Sequence, residues 1–274
     1  MAPLHFIKAH GCGNDFVLLP DTDDQLTLTE DLTKAMCDRH VGIGADGVIR
    51  IGAPTTETGA VFMDYRNADG SIAEMCGNGV RTVAMWYAQA HPDATTVNVD
   101  TRAGMKHVTI HRDETGAFSA ATVNMGIPEL FSRNHKIAMP DGAIIPLTTL
   151  SMGNPHAVVV MGRVGADCVL DYPLNRIGPF IEHHPDFPDG TNVEVIASTT
   201  STTVVGRIHE RGVGETLASG TGSSAMAVAA IAHGLTERAV TVYLPGGQIH
   251  IDWPKDNAPL MMTGPAVSVF SGTW

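Results

Sequence analysis

A short motif is written twice in this chain, 143 positions apart, as CGNG at 76–79 and SGTG at 219–222. Each copy leads into a run of small apolar residues. At the same offset Asn67, in Tyr65-Arg66-Asn67, lines up with Glu210, in His209-Glu210-Arg211. A second echo, at an offset of 140, matches Gly13-Asn14-Asp15-Phe16 to Gly153-Asn154-Pro155-His156. The chain is therefore expected to be one half built twice, with two equivalent loops able to meet across a pseudo-two-fold axis. That geometry suits chemistry on both faces of one small molecule. Only the first loop carries a thiol.

At 274 residues the chain is long enough for two domains, each burying a core. The domain change is expected near Met125-Gly126-Ile127-Pro128. This gives a first half of 1–124, joined by 266–274, and a second half of 125–265. A formal charge of −12 without any Lys/Arg-rich stretch argues against nucleic acid or an anionic membrane as partner. The N-terminus has no apolar core of signal-peptide length, and no later run approaches membrane-spanning length, so the chain reads as cytoplasmic. The four cysteines have no metal-finger or C-x-x-C spacing and should be thiols, with Cys37 and Cys168 packed in the core. No histidine pattern suits a metal, His183-His184 before Pro185 included, and no metal is expected.

The periodicity predicts strands at Leu4–Phe6 and Asn14–Leu19 around a Gly11-Cys12-Gly13 turn, then a helix from Thr29, its N-cap, to His40. Strands follow at 48–51 and 60–65, a turn at 68–71, and a helix over 80–90. Strands at 95–99, 105–111 and 118–125 close the first half. The second half repeats the order, with strands at 157–161, 193–197 and 204–208 and a helix over 223–233. That helix is apolar all round, which predicts burial inside a curved sheet. Each half is then a mostly antiparallel sheet wrapped on a central helix, an α+β fold. A last strand, 266–270, is expected.

A Gly-x-Gly loop entering a helix leaves several backbone N–H groups aimed at one spot, beside the positive end of the helix dipole. An anion fits there, a carboxylate as well as a phosphate. The same field lowers the pKa of a cysteine at the helix start, and Cys76 holds that position. Asn14, Asn67, Asn78, Asn154 and Asn192 all fall in Gly-containing turns, and Glu210-Arg211 precedes the second loop. Singly these are ordinary turn formers. Together they supply donors and acceptors for an ammonium and a carboxylate, the outfit of an amino-acid site.

Seven segments, in order, resemble the diaminopimelate epimerase family: HGCGNDF at 10–16, GIGADG at 42–47, YRNADGS at 65–71, MCGNGVR at 75–81, SMGNPH at 151–156, GTNV at 190–193 and ERGVGETLASGTG at 210–222. The resemblance implies a two-domain fold with the substrate between the halves. It also implies a cofactor-independent interconversion of LL- and meso-diaminopimelate, in which one cysteine removes the α-proton and a second returns a proton on the other face. Cys76 matches one of these. Substrate contacts fall on Asn14, Asn67, Gly77, Asn78, Asn154, Asn192, Glu210, Arg211, Gly220 and Thr221, while His156 and Glu210 match a pair that assists the thiols. No pyridoxal phosphate is expected, since none of Lys8, Lys34, Lys106, Lys136 or Lys255 lies near a matched motif. The partner is a small amino-acid substrate, and a homodimer is compatible with the reading.

The departure is Ser219, where the family pattern has its second cysteine. A serine hydroxyl is far less acidic than a thiol and a poor proton donor to a carbanion at neutral pH. Three readings stay open: a deliberate replacement in an ordinary epimerase, a natural slow or one-directional variant, or a one-base lyase or catalytically silent amino-acid-binding relative. A racemase of another amino acid, such as histidine, is a further alternative.

Overall fold

The computed structural model describes residues 3–274. The chain divides into two compact units: one runs to Asn124 and takes back Thr263–Trp274, and the other is Met125–Met262.

The first unit opens with a hairpin of β1 (His5–Gly11) and β2 (Asn14–Pro20). Gly11 faces Asn14 across a two-residue turn in which Cys12 and Gly13 both take positive φ, 53° and 83°. That is the type I′ pattern, whose twist matches the strands it joins. The crossover to β3 (Gly47–Gly52), parallel to β2, carries α1 (Glu30–Cys37). Thr29 caps α1, its hydroxyl accepting from the Leu32 N–H at 3.2 Å. β4 (Val61–Asn67) runs antiparallel to β3, and β5 (Ile72–Ala73) folds back on it before α2 (Gly77–Ala90). β6 (Thr96–Asp100) lies parallel to β4, and β7 (Lys106–Arg112) and β8 (Phe118–Asn124) continue as a meander. The C-terminal strand Val267–Thr273 returns antiparallel to β1.

The second unit repeats this plan. β9 (Glu129–Ala138) and β10 (Ile144–Ser151) pair, and β10 forms a hairpin with β11 (Pro155–Val160). α3 (Asp167–Leu170) and α4 (Leu174–Glu182) cross to β12 (Asn192–Thr200), parallel to β11. Antiparallel β13 (Thr203–Glu210), the short β14 (Gly214–Thr216) and α5 (Gly220–Ala232) follow, then β15 (Ala239–Leu244), parallel to β13, and β16 (Gly247–Asp252). β17 (Met261–Gly264) and β18, the strand at Val267–Thr273, end the chain. The sequence alignment of the halves holds in space: Asn67 is the last residue of β4 and Glu210 the last of β13, each followed by a short return strand and a helix.

Each sheet wraps its helix. α2 packs against β1, β2, β4, β6, β7 and β8, and α5 against β10 to β13, β15 and β16. Ala225 through Ala230 of α5 are fully buried, as an all-round apolar helix requires. The outer face of β12 is covered by Leu174, Ile177 and Ile181 of α4 packing with Val193, Val195 and Ala197. Because side chains alternate along a strand, Glu194 and Ile196 face the opposite way, toward α5. The fold is the expected α+β arrangement.

Three details differ from the sequence reading. The CGNG and SGTG motifs are not loops ahead of helices. Cys76 and Ser219 are the N-caps, and the glycines form the first helical turns. Close packing explains this: a Cβ on Gly79 would stand 2.9 Å from Ile49 Cδ1, and one on Gly222 2.3 Å from Ile208 Cδ1. Cys168 is exposed, because the four-residue α3 buries Val169 and turns its neighbour outward. Finally, β5, β9, β10, β14 to β17, α3 and α4 were not anticipated. β9 is largely exposed and shows little apolar alternation.

Candidate active site

In the first unit Cys76 has extended backbone angles, φ −141° and ψ 120°, and stands half-buried at the head of α2. Its thiol lies 3.7 Å from Asn14 Oδ1, which also accepts from Asn78 Nδ2 at 3.0 Å. The Asn14 amide nitrogen donates to Asp46 Oδ2 at 2.8 Å, so its carbonyl oxygen is left to face Cys76 and Asn78. Asn78 is itself held from behind, its Oδ1 accepting from the guanidinium of Arg81 at 2.9 Å. Arg81 is fully buried and also donates to the Pro265 carbonyl at 3.2 Å.

An ion network supports Asn14. Asp15 pairs with Lys8 at 2.5 Å and with Arg39 at 2.7 Å, and Arg39 also reaches Asp46 at 2.7 Å. Lys8 donates as well to the Gly44 carbonyl. Burial would raise the Asp15 carboxyl, but hydrogen bonds from Arg39 and Lys8 outweigh it and hold the group at about 2. Lys8, expected to stand clear of the matched segments, therefore reaches into the first of them. Asn67 ends β4. It faces Gly47 across the ladder, and its Nδ2 donates to Ser71 Oγ at 3.0 Å.

In the second unit Ser219 caps α5, its Oγ accepting from the Gly222 N–H at 3.3 Å. Thr221 Oγ1 lies 3.5 Å from Ser219 Oγ and 3.5 Å from Asn154 Nδ2, both long contacts. Asn154 Oδ1 is 3.0 Å from His156 Nε2, and His156 Nδ1 is 2.6 Å from Glu194 Oε1. Thr221 and Asn154 thus occupy the places that Asn78 and Asn14 hold in the first unit. The other predicted residues gather at the end of β13. Asn192 accepts from the Arg211 N–H at 3.0 Å and donates to the Pro155 carbonyl at 2.9 Å, so its amide braces two backbone turns. Glu210 accepts from the Thr216 hydroxyl at 2.6 Å, and Arg211 donates to the Asp189 carbonyl at 3.0 Å.

Four residues of this scaffold were missed. Arg81 and Asp46 lie inside quoted motifs but carried no assigned role. Glu182, which bonds His209 at 2.7 Å and the Gly212 N–H at 2.7 Å, sits in an unanticipated helix. Glu194 interrupts the valine-rich run Val193-Glu194-Val195-Ile196, and a carboxyl in a buried strand is the signal that could have found it. Among the described residues no group of three or more His, Cys, Asp or Glu is placed to hold a metal ion, and no helix is long and apolar enough to cross a membrane.

A family model of diaminopimelate epimerase matches residues 6–131 and 148–269. The chain belongs to the diaminopimelate epimerase family. A diaminopimelate epimerase of Desulfovibrio desulfuricans is 42% identical over 289 aligned residues, covering 99% of this chain and 98% of that protein. One of Heliobacterium modesticaldum is 38% identical, covering 98% and 99%. Among solved structures the chain resembles a hydroxyproline epimerase of Agrobacterium vitis, with a TM-score of 0.75, 14% identity and coverage of 100% and 91%. It also resembles a phenazine biosynthesis protein of the PhzF family from Bacillus anthracis, with a TM-score of 0.74, 17% identity and coverage of 100% and 99%. At these identities the structural likeness speaks for the fold alone.

Proposed function

We propose that the chain interconverts LL- and meso-diaminopimelate by moving a proton at one α-carbon, with no cofactor. Family membership supports the reaction. The observation that carries the residue roles is the pair of equivalent helix starts, where the N-cap residue is linked to the asparagine of a preceding hairpin, Cys76 directly at 3.7 Å and Ser219 through Thr221 over two 3.5 Å contacts. Cys76 as thiolate takes the α-proton. Position 219 returns a proton to the planar carbanion on its other face. The N–H groups of each first helical turn receive a carboxylate. Arg211 and the amides of Asn67, Asn154 and Asn192 serve the distal amino-carboxylate end, Asn192 through the turns it braces, and His156 and Glu210 assist proton transfer.

Ser219 sets the rate in this reading. Losing a positioned general acid or base costs about 10²–10⁴ in rate, and serine keeps the shape of cysteine. Incubation with LL-diaminopimelate in D₂O tests the scheme: deuterium at one α-carbon with meso product is expected, slowly. Ser219→Cys should raise kcat by about a hundredfold or more with little change in KM. Exchange without inversion would leave a one-base, lyase-like relative. Turnover as fast as that of the cysteine form would remove position 219 from the mechanism.

A further inference from the structure

Glu194 is wholly buried on the α5-facing side of β12, and its two oxygens are treated unequally. Oε1 lies 2.6 Å from His156 Nδ1, whereas Oε2 has no hydrogen-bond partner among the described residues. A buried carboxylate with one bare oxygen is a costly arrangement, but a neutral acid needs only one acceptor for its proton and tolerates a bare carbonyl oxygen far better. The charged and titratable neighbours pull in opposite senses. His156 approaches from β11, and Glu210 of β13 brings a like charge. The head of α5 would favour an anion, yet its Gly222 and Ser223 N–H groups are both directed to Ser219. Burial is the largest influence and pushes the Glu194 carboxyl upward, Glu210 adding to the rise and His156 and the residue's own backbone N–H opposing it.

We propose that Glu194 is a neutral carboxylic acid at neutral pH and a positioning residue that donates its proton to His156 Nδ1, locking that ring as the Nε2–H tautomer. The sense of the whole chain of contacts follows. His156 Nε2–H donates to Asn154 Oδ1, Asn154 Nδ2 donates to Thr221 Oγ1, and the Thr221 hydroxyl is left to donate to Ser219 Oγ. With the Gly222 N–H added, position 219 receives hydrogen bonds from two sides. A proton-accepting, anionic atom there is stabilised, which is what a thiolate at this position would need. That last consequence rests on the proposed reaction; the protonation state does not.

Two measurements on the folded chain test it, and neither uses turnover. Nitrogen NMR of the ¹⁵N-histidine-labelled protein at pH 7, with His156 identified by its loss in H156N, should show a neutral ring protonated at Nε2. Infrared difference spectra of the wild type minus E194Q should show the carbonyl stretch of a buried protonated carboxyl that persists above neutral pH. A ring protonated at Nδ1, an imidazolium, or the absence of that band would overturn the proposal. If E194Q does not fold, the NMR result on the unsubstituted chain decides alone. A silent enzyme with the Nε2–H ring would refute the reaction and leave this inference standing.

Discussion

At the scale of residues, the cysteines separate by environment. Burial raises the thiol of Cys12 against the pull of Arg81, and burial likewise takes Cys37 to about 11. Cys168 is exposed and Cys76 half-buried at a helix start, so access favours Cys168 while the helix end favours the thiolate of Cys76. Iodoacetamide at pH 7 should therefore modify Cys76 faster than Cys168, and diaminopimelate should protect it. Labelling ordered by exposure, with Cys168 first, would contradict a thiolate role for Cys76. Asp15 gives a stability test with a defined sign. Its carboxyl is lower in the folded state, about 2 against 3.8, so the stability it contributes is present above pH 3.8 and is lost as pH falls through 2. Asp15→Asn should cost about 2 kcal/mol at pH 7. Urea unfolding should show the difference between the two proteins shrinking from about pH 4 and vanishing as pH falls through about 2, and a constant difference would mean that the ion network is not the cause.

At the scale of elements, the two helix starts depend on glycine for packing. An added methyl at Gly222 would meet Ile208 Cδ1, the Ser219 Cβ and Glu194 Oε1, at 2.3, 3.1 and 3.3 Å, in a part of the core where Ile208 and Glu194 have no exposure. Alanine is better than glycine in a helix by about 1 kcal/mol, while overpacking a closed core costs about 1–3 kcal/mol. Gly222→Ala should be destabilising on balance, and more so than Gly79→Ala, whose tightest neighbour is 2.9 Å away. A higher melting temperature for Gly222→Ala would show that this turn has room. The same elements show what the sequence could tell. The repeated strand and helix around Asn67 and Glu210 were legible, because turn glycines and small-residue helices leave strong local marks, whereas the two- and three-residue return strands β5 and β14 were not. The partnership of Asn14 with Cys76 was legible as two motifs but not as a contact, since 62 positions separate them. Arg81 was not legible as a support, because burial behind a site comes from packing rather than local pattern, and Glu194 showed only as a carboxyl in a valine-rich strand, with nothing local to name His156 as its partner.

At the scale of the whole molecule, the order of synthesis and the order of folding are at odds. Domains generally complete from the N-terminus as the chain emerges, and here the second unit, Met125–Met262, is continuous in sequence whereas the first regains residues from Thr263 onward. The β1 edge waits for Val267–Thr273, and Arg81 waits for the Pro265 carbonyl that shares it with Asn78. On ribosome-arrested nascent chains, residues 125–262 should gain protease resistance before the segment ahead of them does; the reverse order would mean that the first unit closes without its tail. A newborn chain therefore leaves Arg81, and through it the Asn78 amide at the head of α2, without its last backbone acceptor until residues 263–274 emerge.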